Sequence, residues 1–546
     1  MTVNSQRLLL AAAGAGGAAA AGLYVDDVFS TFLYDGTGDG INASTTSITN
    51  GIDLDGEGGL VWIKQRSSAR NHFLFDTERG ATKYIRSDGT FAEADSGSDT
   101  LTAFNSDGFD LGKSANTNLN TETYCSWTFR KAPGFFDVVT WSGDNTTGRQ
   151  ISHNLGSAPG MILIKILNST YEWVVYHRSQ GASKYGFLNS DDAFGTASGD
   201  NNYFNTTEPT STHFTVGTSN STARVRVNDF GSTYVAYVFA HDDQSFGTDE
   251  DEAIIKCDSY TGNGSTQTIN VGFEPQWLMV KCSSHSSPSG WYMVDNMRVD
   301  SRNRDLYANL SLAELTNDRI DFTSTGFHLN DSNNDVNGSS RTYIYMAIRR
   351  PHKPPEAGTD VFTADLGSAD PAPNFTANHV IDLSIIHKPS GTYPGWTTRF
   401  NGEKYLRSDN SDAEASSGAR TFVGQYGFGD GFGSSSDFIN WMFRRAPGFF
   451  DVVTYTGNAT AGRTVTHNLG VTPELMIVKA RSSSGAWEGY VSALGATKGI
   501  RPNSDGAELT VTGFWNDTAP TSSVFTVGDG SNVNGSGKDI IAYLFA

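Results

Sequence analysis

At 546 residues, with 33 Phe and 21 Tyr, the chain is long enough for several cores and too apolar to be a disordered polymer. Its 39 basic against 59 acidic residues leave a net charge of −20 and a pI near 4.9, which argues against a nucleic-acid-binding surface built on clustered Lys and Arg. Three cysteines are too few for a disulfide framework, and no stretch approaches the roughly 20 apolar residues of a membrane span.

The first segment, 1–22, is mostly Ala and Gly after a single Arg. It superficially resembles a secretory signal, but its small side chains give it no payload to fold alone, so it reads as an anchoring arm held by something larger. From 23 onward, short apolar runs alternate with turns rich in Gly, Ser, Thr, Asn and Asp, without helical periods. That pattern predicts an all-β chain of β-sandwich or jelly-roll-like units.

The units show themselves as repeats. "RKAPGFFDVVT" at 130–140 returns as "RRAPGFFDVVT" at 444–454, with one conservative change and an offset of 444 − 130 = 314 residues. Upstream, "GGLVWIK", "RGATKYIRSD" and "YCSWTFRKAPGFF" correspond to "VIDLSIIHK", "NGEKYLRSD" and "FINWMFRRAPGFF". Downstream, "GRQISHNLGSAPGMILIK" corresponds to "GRTVTHNLGVTPELMIVK", and "YVAYVFA" to "IIAYLFA". A weaker copy, "DSYTGNGSTQTINVGFEPQWLMVK", lies between them. Five units follow: A (23–134), B (135–246), C (247–350), A′ (351–448, including a linker) and B′ (449–546).

The repeated string is therefore a junction, closing one unit and opening the next. Its Pro–Gly pairs, Pro133–Gly134 and Pro447–Gly448, are expected to form sharp, stiff joints, so that A packs on B as A′ packs on B′. The Pro-rich segment 349–360 between C and A′ reads as a semi-rigid spacer.

Within the units, the acidic turns at 34–40 and 53–59 offer oxygen ligands but lack the distal Glu of an EF-hand, so they read as solvated turns. His153 and His467, each in "HNLG", read as structural side chains bonding the turn. Cys257 and Cys282 each follow a Lys at the end of an apolar run; pairing is open to them, and two free buried thiols are the plainer reading. A Trp recurs eight to ten residues after the Lys that closes the central strand: Trp173, Trp291, Trp396 and Trp487. Repeated aromatic faces suit a multivalent glycan binder by ring stacking, while core anchors kept by the fold are the plainer reading of the same recurrence. No nucleophile elbow, phosphate-cradling loop or zinc signature occurs, so no catalytic residue, metal or cofactor is expected. Paired carboxylates for glycoside cleavage are a tertiary matter, and no pair stands out.

The strings "RLLLAAAGAGGAAAAGLYVDDVFSTFLYDG", "FDTERGATKYIRS" and "APGFFDVV…GR…HNLG…P" together resemble virion structural proteins of marine tailed bacteriophages, which are often tail-fibre-like. The resemblance spans nearly the whole chain and implies a virion protein whose arm attaches to other virion proteins. It supplies no catalytic residues. Unit C departs from the pattern at "GFEPQWLMVK". The expectation is a tail fibre, spike or tail-tip component contacting a host surface glycan or protein, assembled as a homotrimer that covers sheet edges. The alternatives are a head-decoration or collar adaptor and a surface-polysaccharide depolymerase.

Overall fold

The computed structural model describes residues 22–41, 45–199, 202–217, 221–286, 289–298, 304–317, 319–368, 373–388, 392–416, 420–430, 437–511 and 513–546. The anchoring arm thus lies, but for Gly22, outside the described residues. Among the described residues strands dominate, with three α-helices of four to seven residues.

Every sheet is built from strands within one unit, and one plan recurs. In A the opening strand Phe29–Asp35 pairs with the closing strand Thr123–Arg130, which pairs with the central strand Gly59–Gln65, which pairs with Phe73–Asp76. A smaller sheet, Thr46–Thr49, Gly108–Leu111 and Leu101–Asn105, covers one face. B places Phe136–Ser142, Thr233–Phe239, Met161–Ile166 and Val174–His177 in the same order. C does so with Ile255–Thr261, Thr342–Arg349, Pro275–Cys282 and Tyr292–Asp295. A′ uses Phe362–Leu366, Ile439–Phe443, Leu383–Lys388 and Thr392–Thr398, and B′ uses Phe450–Thr456, Asp539–Phe545, Leu475–Ala480 and Glu488–Val491. All pairings in these sheets are antiparallel, and the chain is an all-β array of sandwiches.

In A, B and C the central strands are largely apolar up to their closing lysine because both of their faces are buried. In A, Val61 and Ile63 point into the sandwich with Ile48, Phe109 and Leu111. Leu60 and Trp62 point the other way, into a core shared with B and C. In C, Leu278 and Val280 fill the sandwich while Trp277 and Met279 join that shared core. Rings from the three units meet there: Phe129 of A lies 5.5 Å from Phe239 of B and 6.1 Å from Trp277 of C.

This packing closes a ring. The amide of Glu93 in A donates to the carbonyl of Leu167 in B at 2.7 Å, Phe194 of B to Ser283 of C at 2.9 Å, and Glu314 of C back to Arg66 of A at 2.9 Å. The three acceptors occupy one position, two residues beyond the lysine of the central strand. A, B and C are therefore joined head to tail around a pseudo-threefold axis, which a single-file reading of the repeats does not anticipate. A′ and B′ repeat one step of it, with Glu414 donating to the carbonyl of Arg481 at 2.8 Å.

The segment between C and A′ is no spacer. Asp26 near the start of the described chain accepts the amides of His352 and Lys353 at 2.9 and 3.0 Å and pairs with Arg444 at 2.7 Å. Arg350 pairs with Glu274 and Asp451 at 3.1 and 3.3 Å. The charged side chains among its prolines are what tie it down.

Candidate functional site: seams and an inter-unit cleft

Gly134 and Gly448 share a φ of +71°, and each donates its amide to the leucine of the following "HNLG", Leu155 at 2.8 Å and Leu469 at 2.7 Å. The aspartate of "GFFD" completes the link: Asp137 accepts the amide of Asn154 at 2.7 Å, and Asp451 that of Asn468 at 2.8 Å. The two quoted motifs are thus halves of one contact. Lys131 and Arg445 both reach this aspartate, at 3.8 and 2.8 Å, so the one substitution within the repeat keeps its partner.

His153 and His467 serve the same turn. Nδ1 accepts the amide of Leu155 or Leu469 at 3.3 Å, and Nε2 faces a loop carbonyl, Thr210 at 3.1 Å or Thr521 at 3.2 Å. Burial pushes both imidazoles below their ordinary pKa. Cys125, Cys257 and Cys282 are buried free thiols. Among the described residues no group of three or more His, Cys, Asp or Glu is arranged to hold a metal, and no helix is long and apolar enough to cross a membrane.

Three of the four recurring tryptophans are not stacking platforms. Trp173, Trp291 and Trp487 are at most 1% exposed, so no ring face is left for a sugar. Each indole N–H crosses a seam: Trp173 donates to the carbonyl of Arg86 at 2.8 Å, Trp291 to Phe187 at 2.9 Å and Trp487 to Arg407 at 2.9 Å. They bolt each unit to the one before it. Trp396 is not their equivalent. Strand pairing puts it opposite Ile385, two positions further along, and it packs between Trp487 at 5.4 Å and Tyr543 at 4.9 Å. In A the bolt position holds His72, whose Nδ1 accepts the indole N–H of Trp62 at 2.9 Å and which faces the Tyr307 stretch of C. Spacing from the lysine would have found His72, had the search not been confined to Trp.

Sequence reasoning also missed a set of fully buried asparagines, Asn118, Asn228, Asn337 and Asn534. Each accepts an amide at the end of the opening strand: Thr37, Asp144, Asn263 and Asn458, at 3.0 to 3.3 Å. Asn in a loop is so ordinary that only their repetition at one place distinguishes them.

Where C meets A′ and B′ lies a cleft of about 430 Å³. It is lined by Thr323 and His328 of C, Tyr455 and Arg463 of B′, and Arg399 and Phe400 of A′. Arg463 lies 5.3 Å over the ring of Tyr455. At its inner edge, Arg445 is held by Glu274 at 2.7 and 2.9 Å and by Asp451 at 2.8 Å. Burial is the largest influence on Arg399 and pushes its pKa down to about 10, although its guanidinium bonds the carbonyls of Ile381, Met297 and Gly424 at 2.8 to 3.1 Å. Hydroxyls, guanidinium groups and aromatic edges together suit a polar, hydroxyl-bearing ligand better than an apolar one.

No curated protein and no solved structure matches this chain. The family model described as "Domain of unknown function (DUF7483)" matches residues 25–351 and 443–546, covering A, B, C and B′ and passing over most of A′. With more than half of its length matched, the chain belongs to the DUF7483 family.

Proposed function

We propose that this chain is a structural protein of a tailed-bacteriophage virion, a fibre, spike or tail-tip component that contacts the host surface without enzymatic activity. The observation that supports the reading is where its phage-like strings sit. "APGFFDVVT" and "HNLG" form the junctions and the turns that lock unit to unit. Their role is architectural. In this reading residues 1–22 attach the chain to other virion proteins and three copies associate. A host glycan would meet the hydroxyl-lined cleft between C and A′–B′ rather than the buried tryptophans.

One observation favours a second reading, a head-decoration or collar adaptor. A, B and C close into a ring, a block rather than a slender projection. Electron cryomicroscopy of the intact particle separates the two. Density at the tail with the cleft facing outward supports attachment; density on the head shell or collar supports the adaptor; absence from the particle removes both.

A further inference from the structure

The A–B–C ring has three places, and the A′–B′ pair fills two places of an equivalent one. We infer that the third place is a docking site for one further β-sandwich unit of C type, supplied by a partner chain. Two independent features of B′ and A′ carry this.

The shared core is open on one side. Phe129 and Phe239 in the closing strands of A and B, with their central-strand partners Leu60 and Met161, are at most 1% exposed. Of the same positions in A′ and B′, Leu383 stays buried while Phe443, Phe545 and Leu475 are partly exposed, as is Trp441 where A has the buried Trp127. Beside them Phe362 is 37% exposed. In the complete ring, Trp277 and Met279 of C cover this position. A patch of half-covered aromatic rings on one face marks an interface.

The docking edge of B′ is bare. Strand pairing makes Glu508 the counterpart of Glu93, Phe194 and Glu414, whose amides cross the seams. Residues 504–508 are exposed without interruption, whereas 87–93 of A, engaged with B, are buried or half-buried except Phe91. The carbonyl of Arg501 stands where those of Arg86, Phe187 and Arg407 receive indole N–H groups.

At the C–A and A′–B′ seams a carboxylate meets a cation, Glu314 with Arg66 at 2.7 Å and Glu414 with Arg481 at 2.7 Å, whereas at the B–C seam Phe194 meets Ser283. Among the described residues Glu508 pairs with Lys498 of its own unit at 3.0 Å, so a C-type occupant with Ser283 at the seam leaves this pair in place. The occupant therefore presents a carbonyl just beyond its central strand, as C does at Ser283, an indole N–H for Arg501, as C does with Trp291, and a face like that of Trp277 and Met279. Three steps close the A–B–C ring, so only one unit fits.

The test lengthens the full chain. A second copy of residues 241–350 is placed after Ala546, and hydrogen exchange is followed over 498–511. Exchange at least tenfold slower than in the unmodified chain is expected, and Glu508→Arg together with Phe545→Asp should restore the fast rate. An added unit that is itself protected while 498–511 stay fast overturns the inference. Should the added unit not fold, an Ala507→Cys chain decides. Its thiol should react with maleimide in the isolated protein and be blocked in the assembled particle, and reaction in both overturns the inference. Only this second arm rests on the virion reading.

Discussion

Trp173 and Trp487, 487 − 173 = 314 residues apart, hold the same bond in two different seams: each indole N–H donates to the carbonyl of an arginine in the preceding unit, Arg86 at 2.8 Å and Arg407 at 2.9 Å. The offset equals that of the junction strings, so the duplication preserved the interface as well as the units. A buried seam preserved in this way is a packing contact with one directional bond at its centre.

Trp487→Phe keeps most of the ring and removes the donor. The carbonyl of Arg407 is then left without its indole partner, which should cost about 1–3 kcal/mol. Trp487→Ala adds the cavity and should cost about 3–5 kcal/mol. Urea unfolding of the full chain measures both. Equal losses for the two variants would mean that the bond, rather than the ring, holds the seam.

The lysines that end the central strands make stability depend on pH. Lys64, Lys165, Lys281 and Lys479 are at most 1% exposed and bond backbone carbonyls, Lys165 that of Ile166 at 2.8 Å. Burial pushes Lys165 down to about 7 and the other three to about 8, from an ordinary value of 10.5. From these values up to 10.5 the unfolded chain holds protons that the folded chain has released. Stability should therefore rise with pH across that window and decline as pH falls toward 7. Lys165→Met removes one titrating group, so its urea midpoint should rise less steeply between pH 7 and 9.5 than that of the parent. An unchanged slope would show that the carbonyls hold Lys165 charged throughout.

How far the sequence told this story depends on distance along the chain. The sandwiches were legible because alternation, turns and apolar runs are local, and the five units because whole strings return. The central strands announced their double burial, yet nothing in them says that one face meets a neighbour and not more of its own unit. Ring closure between A and C joins Glu314 to Arg66, 248 residues apart, and neither residue stands out locally. The tryptophans show the opposite failure. Their recurrence was plain, but recurrence follows from burial as readily as from binding, and only the bond to Arg86, Phe187 or Arg407 separates the two.

The junction glycines should differ in tolerance although their φ is the same. A Cβ on Gly448 would meet nothing within 4 Å, so Gly448→Ala should cost roughly 1 kcal/mol, the price of a left-handed backbone for an L-residue. A Cβ on Gly134 would come within 2.8 Å of Ser245 Oγ and 3.0 Å of Asp243, so Gly134→Ala must also displace both side chains. Its loss should be larger, about 2 kcal/mol in all. Thermal unfolding of the two variants side by side gives the comparison, and the reverse order would show that the Ser245 loop yields freely.

The charged cluster where C, A′ and B′ meet is the joint most sensitive to a single change. Glu274 and Asp451 are buried between Arg445 and Arg350, with all four contacts at 3.3 Å or less. Burial is the largest influence on Asp451 and pushes its carboxyl up, but Arg445 and Arg350 outweigh it and hold the pKa below the ordinary carboxylate value of 3.8. Its contribution is therefore complete above that value and lost as pH falls through the lower, folded-state pKa. Glu274→Gln leaves two buried guanidinium groups facing one carboxylate, a loss of about 3–5 kcal/mol. Because Glu274 belongs to C while Asp451 and Arg445 lie at the A′–B′ junction, the first effect should be release of A′–B′ from an intact A–B–C ring. Limited proteolysis of the Glu274→Gln chain at neutral pH should then cut between 350 and 361 before any site within 23–349. Cleavage spread evenly over the chain would mean that the ring and the pair unfold together.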